Sequence, residues 1–207
     1  MEYMVSIALF AISASVTPGP NNIMVMTSGL NFGVRKSLPL LTGICVGFTV
    51  MLLVVGLGFG HLFTRFPQLS LIIKIVGTAY LLYLAWLIAR SGSVDSSAQK
   101  AKPLGFLKGA IFQWVNAKAW VVAIGAISSF TTIGEQYTTQ SLTIATTFFL
   151  VSFPCVGIWL LFGSFLQQTL KYSNYLLWFN MSMSFLLLLS VFPVIADIRQ
   201  QLIASWQ

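Results

Sequence analysis

Charge is what this sequence has least of. Only 7% of its 207 residues are charged, and the acids are just four: Glu2, Asp95, Glu135 and Asp197. A soluble domain carries about 25% charged residues, so this chain cannot cover its own surface in water. With 57% hydrophobic residues and a mean hydropathy of +0.88, it reads as an all-α integral membrane protein. Histidine is nearly absent as well, His61 being the only one, and two cysteines, Cys45 and Cys155, lie apart inside apolar runs. There is no CxxC, no paired histidine and no carboxylate cluster, which argues against a metal site, and nothing points to a cofactor. The positive n-region of a signal peptide is missing too. Met1-Glu2-Tyr3 opens on an acid, so the first apolar span is expected to stay in the protein. The 11 Lys and Arg give a net charge of +7. Nearly all sit in short loops between apolar spans, a pattern of membrane topology and not of nucleic-acid binding.

Six apolar segments are long enough to cross a bilayer at about 20 residues per helix. They are 3–30, 38–60, 69–89, 105–129, 142–164 and 176–196. Only residues 91–104 have linker composition. They divide one membrane domain into a first three-helix repeat (1–90), a cytoplasmic linker (91–104) and a second three-helix repeat (105–207). Loops after spans one, three and five hold Arg35, Lys36, Arg90, Lys100, Lys102, Lys108 and Lys171, against Arg65 and Arg199 on the other side. Lys74 lies just inside span three and belongs to neither set of loops. The bias places both termini outside, in the periplasm if the membrane is the inner one of a Gram-negative bacterium.

Three spans per half make the halves enter the membrane in opposite directions, the geometry of an inverted repeat. The first span of each half carries an anomaly: Pro18-Gly19-Pro20 in one, Gln113 to Trp120 in the other. In span two, Gly43 and Gly47 are spaced for close helix packing.

The run Thr17-Pro18-Gly19-Pro20-Asn21-Asn22 breaks the first span. Two prolines cannot donate to the helix ladder, which frees the carbonyls of Ala14 and Val16. A plain kink needs only one proline. Broken backbone at membrane depth is tolerated where it is buried in protein or lines a wet cavity, as in transporters built from half-helices. The freed carbonyls suit an ammonium, and N–H groups at the start of the next half-helix, around Ile23 and Met24, suit a carboxylate.

Lys118 lies near the middle of span four, two residues after Asn116. A lysine at the bilayer centre costs about 2.5–3.5 kcal/mol on insertion scales, and no acid stands within a turn of it. Snorkelling to an interface is one explanation. The other is a hydrated cavity between the halves, where Lys118 holds a substrate carboxylate or exchanges a proton during the cycle. The acids all lie in loops or at span ends, so a dibasic substrate would lack a counter-charge. A small neutral amino acid needs only dipoles and one cation. Tyr80 and Tyr83 of span three read as core packing with a local hydrogen bond, or as cavity lining. A different class of function stays open: Cys45 and Cys155 occupy corresponding spans, two and five, and suit a transmembrane thiol–disulfide relay.

Thr17-Pro18-Gly19-Pro20-Asn21-Asn22 resembles the TPGP motif of the LysE/RhtB family of amino-acid exporters. The stretch Phe106…Gly109…Asn116-Ala117-Lys118-Ala119 is similar to that family's second motif, and Gly77-Thr78-Ala79-Tyr80-Leu81-Leu82-Tyr83-Leu84 to its third-helix pattern. The proline-free Gln-x-Val-Asn-x-Lys version resembles the cysteine/O-acetylserine exporter branch. Ala117 stands where the family usually has proline, implying a fourth span less broken than the first. The resemblance implies export of a small amino acid by proton antiport, without enzymatic chemistry. Pro18, Gly19, Pro20, Asn21, Asn22, Asn116 and Lys118 would line the path, and Tyr80 joins them as a candidate substrate-binding residue. The expected partners are an amino acid, H+ and the lipid bilayer; a homodimer is left open.

Overall fold

The computed structural model describes residues 2–59, 67–90, 102–132, 134–169 and 173–204. His61, Arg65, Asp95, Lys100, Lys171 and linker residues 91–101 lie outside these, as do the side chains of Lys74, Arg90 and Asp197. Among the described residues all regular structure is helical.

Helix α1 (Glu2–Val16) ends at the Pro-Gly-Pro run. Helix α2 (Pro20–Val54) opens with proline in its first turn, where a missing N–H costs nothing. It is not one rod. Gly33 inside it has φ 78° and ψ 172°, a conformation that glycine adopts without strain. The hydroxyls of Ser28 and Ser37 lie 2.7 Å apart across it. Nine residues of unbroken helix would separate them by about 13.5 Å, so the chain folds back at Gly33 into two arms, 20–32 and 34–54. The expected loop between spans one and two shrinks to this turn, with Arg35 and Lys36 exposed just beyond it. A π-helical segment, Val55–Phe59, ends the second arm.

There follow α3 (Pro67–Arg90), α4 (Phe106–Val115), α5 (Ala117–Phe130), α6 (Tyr137–Thr169) and α7 (Ser173–Ala204). Among the described residues, Pro20–Gly58 and Tyr137–Leu166 are long and apolar enough to cross a membrane, the former through its arm beyond Gly33, and α4 with α5 adds a third such span if the bent pair counts as one. The outer faces are apolar: Leu9, Leu107, Val121 and Trp178 are 62%, 70%, 72% and 72% exposed. Such a surface needs lipid around it, and the protein is an integral membrane protein.

Small residues let the backbones touch. A Cβ at Gly47 would lie 2.6 Å from the Ala110 Cα, and one at Gly43 would strike the Phe106 carbonyl. The four-residue glycine spacing of span two therefore seats α4. Gly163 against Met26, and Gly29 against Leu160, do the same between α6 and the first arm of α2. Helix α6 packs on both α1 and α2, while α3 packs chiefly on α7. The apolar core forms two clusters, one around Ile23–Met26, Leu84 and Phe112, the other around Ile7, Phe48, Ala123 and Phe148.

The broken spans run in opposite directions. The Tyr3 hydroxyl donates to the Phe130 carbonyl at 2.6 Å, and Lys118 Nζ donates to the Thr17 carbonyl at 2.8 Å. The start of α1 thus meets the end of α5, and the end of α1 meets the start of α5.

Candidate functional site

The first break is built from residues that cannot continue a helix. Thr17 still bonds backward, its N–H to the Ser13 carbonyl at 3.1 Å. Gly19 is then extended, and no side chain caps the start of α2. Ile23 N–H already donates to the Gly19 carbonyl at 3.0 Å, so the N–H groups outside the helical ladder belong to Asn21 and Asn22. This corrects the expectation of Ile23 and Met24. The carbonyls that receive side-chain donors also differ from Ala14 and Val16. Asn22 Nδ2 donates to the carbonyls of Ser15 at 2.9 Å and Thr17 at 3.0 Å. Extended backbone at Gly19 swings the amide of Asn22 back over the end of α1, one residue further along in each case.

The second break needs no proline. Asn116 has φ −84° and ψ 104°, and its Oδ1 accepts the Lys118 N–H at 3.1 Å. It closes α4 and caps α5, and the two helices meet at 70°. The second break is one residue long, Asn116, against three, 17–19, in the first span, and a side-chain cap holds it where the family usually has proline. Ala117 occupies the first position of α5, where proline fits, and Asn116 is already extended as a residue before proline must be. Ala117→Pro is expected to keep export near wild type and to raise stability by about 0.4–1 kcal/mol, read by thermal unfolding in detergent. A large loss of stability would mean that the bend is set elsewhere.

The two breaks meet. Asn21 and Gln113 exchange amide hydrogen bonds, Asn21 Nδ2 donating to Oε1 at 2.9 Å and Gln113 Nε2 donating to Oδ1 at 3.1 Å. Asn116 Nδ2 reaches the same Asn21 oxygen at 3.4 Å. Lys118 crosses to the Thr17 carbonyl, its stem lying over Gly19, where a Cβ would stand 3.1 Å from Cδ and Nζ. Gln113 was not singled out as a site residue from sequence, although it is fully buried. A polar side chain in an apolar run was its one signal.

Beside this junction lies a cavity of about 50 Å³, room for roughly three or four waters. Gly19, Pro20, Asn21, Asn22, Asn116 and Lys118 line one end. Ile44, Phe48, Val122 and Phe148 form the apolar wall, with Cys45 and Ser152 among them. Pro18 is exposed and is not among the residues lining the cavity. Tyr80 is not at the cavity: its ring packs 5.3 Å from that of Phe112 and 6.2 Å from that of Tyr83. Cys45 and Cys155 are both buried and unbridged. Helix dipoles divide the cavity, since α2 and α5 point positive N-termini at it and α1 a negative C-terminus.

A family model described as LysE type translocator matches residues 12–196. The cysteine/O-acetylserine efflux protein of Salmonella choleraesuis is 38% identical over 122 residues, 58% of this chain and 62% of that protein. The protein of the same description from Escherichia coli (strain K12) is 36% identical over 122 residues, with the same shares. That of Klebsiella pneumoniae is 34% identical over 121 residues, 58% of this chain and 61% of that protein. The chain thus spans less than two thirds of the length of these relatives. No solved structure matches it.

Proposed function

The chain belongs to the LysE type translocator family, and from that premise we propose that it exports small neutral amino acids or their derivatives from the cytoplasm. Cysteine, O-acetylserine and threonine- or homoserine-like compounds are the substrates proposed, the first two being those in the names of its relatives. The observation that carries this reading is the Lys118 ammonium on the Thr17 carbonyl where two broken helices meet. One cation, uncapped N–H groups at Asn21 and Asn22, and carbonyls at the end of α1 complement a zwitterion. The apolar wall accepts a short uncharged side chain. Among the described residues lining the cavity, no carboxylate stands to hold a second positive charge.

The antiparallel course of the two broken spans supports a 3+3 inverted repeat that alternates access by rocking one half on the other. Proton antiport across a bacterial inner membrane, with both termini in the periplasm, completes the proposal.

The test is efflux from bacteria stripped of their own exporters and loaded through small peptides. Labelled cysteine, O-acetylserine, threonine and lysine are followed into the medium. Faster loss of one or more of the neutral compounds, with lysine unaffected, is expected. No acceleration for any, with the protein present in the membrane, overturns the reading. The same assay separates the thiol relay: a Cys45→Ala/Cys155→Ala protein is expected to keep exporting, since Cys45 meets the cavity only as part of its apolar wall and Cys155 is not among the lining residues. A wild type that exports nothing but carries out a thiol–disulfide exchange which the double variant loses would establish the relay instead.

A further inference from the structure

We propose that Lys118 is a built-in stand-in for the substrate's ammonium: in the empty protein its own ammonium fills the carbonyl site that the substrate takes over. The inference deepens the export reading and rests on it for the identity of the substrate.

Lys118 is the second residue of α5, where the helix dipole repels a cation. Its ammonium sits instead on the Thr17 carbonyl, just past the C-terminal end of α1, where the dipole attracts one. A carbonyl oxygen has two acceptor positions. At Thr17 one takes the Asn22 amide at 3.0 Å and the other takes Lys118 at 2.8 Å. The site is full. A substrate ammonium, chemically the same group as the lysine head, can enter only when Lys118 leaves. Gly19 lets the stem lie flat against the break, and a four-carbon stem can swing from there to a carboxylate bound at Asn21 and Asn22.

The exchange makes recognition depend on both ends of the zwitterion. A bare amine meets the positive head of Lys118. A bare carboxylate brings no group to replace it on the carbonyl. Removing the lysine head uncouples the two, and the vacated site becomes a receptor for simple primary ammonium ions.

The experiment uses the full chain in lipid nanodiscs and ethylamine as the probe, read by thermal unfolding. Lys118→Ala is expected to bind ethylamine at least about tenfold more tightly than wild type, because a like charge beside the site is gone. Lys118→Ser is expected to gain the same affinity and covers the case in which the alanine protein does not fold. Tetramethylammonium, which has no N–H to donate, is expected to stabilise none of the three. Equal ethylamine binding by wild type and variants, or none by either variant, overturns the proposal. Gain of ethylamine binding in a protein whose wild type exports no amino acid would uphold the ammonium site and sink the export reading. Export by wild type without any gain in the variants would do the reverse.

Discussion

Lys118→Ala is expected to lower export of a neutral amino acid by roughly thirty-fold to several thousand-fold. Truncating one partner of a buried, hydrogen-bonded charge pair costs about 2–5 kcal/mol, and each 1.4 kcal/mol is about tenfold. The pair in question is the substrate carboxylate and the lysine head, formed in a cavity walled by Phe48, Val122 and Phe148. The few waters the cavity holds screen it less than bulk water would at a surface. The folded protein depends on Lys118 far less. In the empty state its ammonium bonds the Thr17 carbonyl, a contact worth about 0.5–1.5 kcal/mol net. The variant is therefore expected in the membrane at near-normal amounts, which size-exclusion profiles of a fluorescent fusion would report. Lys118→Arg keeps the charge but must fit a wider planar head beside Gly19, where Cδ and Nζ already approach closely. It is expected to recover only part of the activity. Export by Lys118→Ala within about threefold of wild type would remove the lysine from the transport path.

Much of this site could be read from residues whose chemistry forbids a helix or forbids lipid. Pro18 and Pro20 lack N–H groups, so the first break follows from covalent structure. Lys118 carries a charge, so its burial demands a partner. What the sequence hid was made by side chains whose identity is compatible with several roles. Asn116 creates the second break by capping α5, and an asparagine can equally face outward or bond its own helix. Gln113 pairs with Asn21 over 92 residues of chain, a distance no local pattern spans. The cavity wall was invisible for a related reason. Ile44, Phe48 and Phe148 belong to apolar spans whose sequence marks no face as buried, since lipid accepts leucine as readily as protein does. The turn at Gly33 was read as a short loop from its basic neighbours, and only its positive φ reduces that loop to one residue.

Gly77→Leu is expected to abolish export while Tyr80→Phe leaves it near wild type, although both residues belong to the same third-helix pattern. A Cβ at Gly77 would strike the Val115 carbonyl. Val115 is the last residue of α4, immediately before the Asn116 cap. The obstacle is backbone, so no rotamer change relieves it, and the end of α4 has to move. Overpacking of this kind costs about 1–3 kcal/mol of stability, occasionally more. Its effect on transport is larger, because Asn116 and Lys118 move with Val115 and a misplacement of about 1 Å can cost roughly a hundred-fold where groups must converge on one ligand. Tyr80 contributes a ring that packs on Phe112 within the apolar cluster, and phenylalanine keeps that ring. Efflux rates per copy of protein, with thermal unfolding midpoints beside them, check both. The opposite result, export lost with Tyr80→Phe and kept with Gly77→Leu, would place α3 along the substrate path and move the site away from the meeting point of the two breaks.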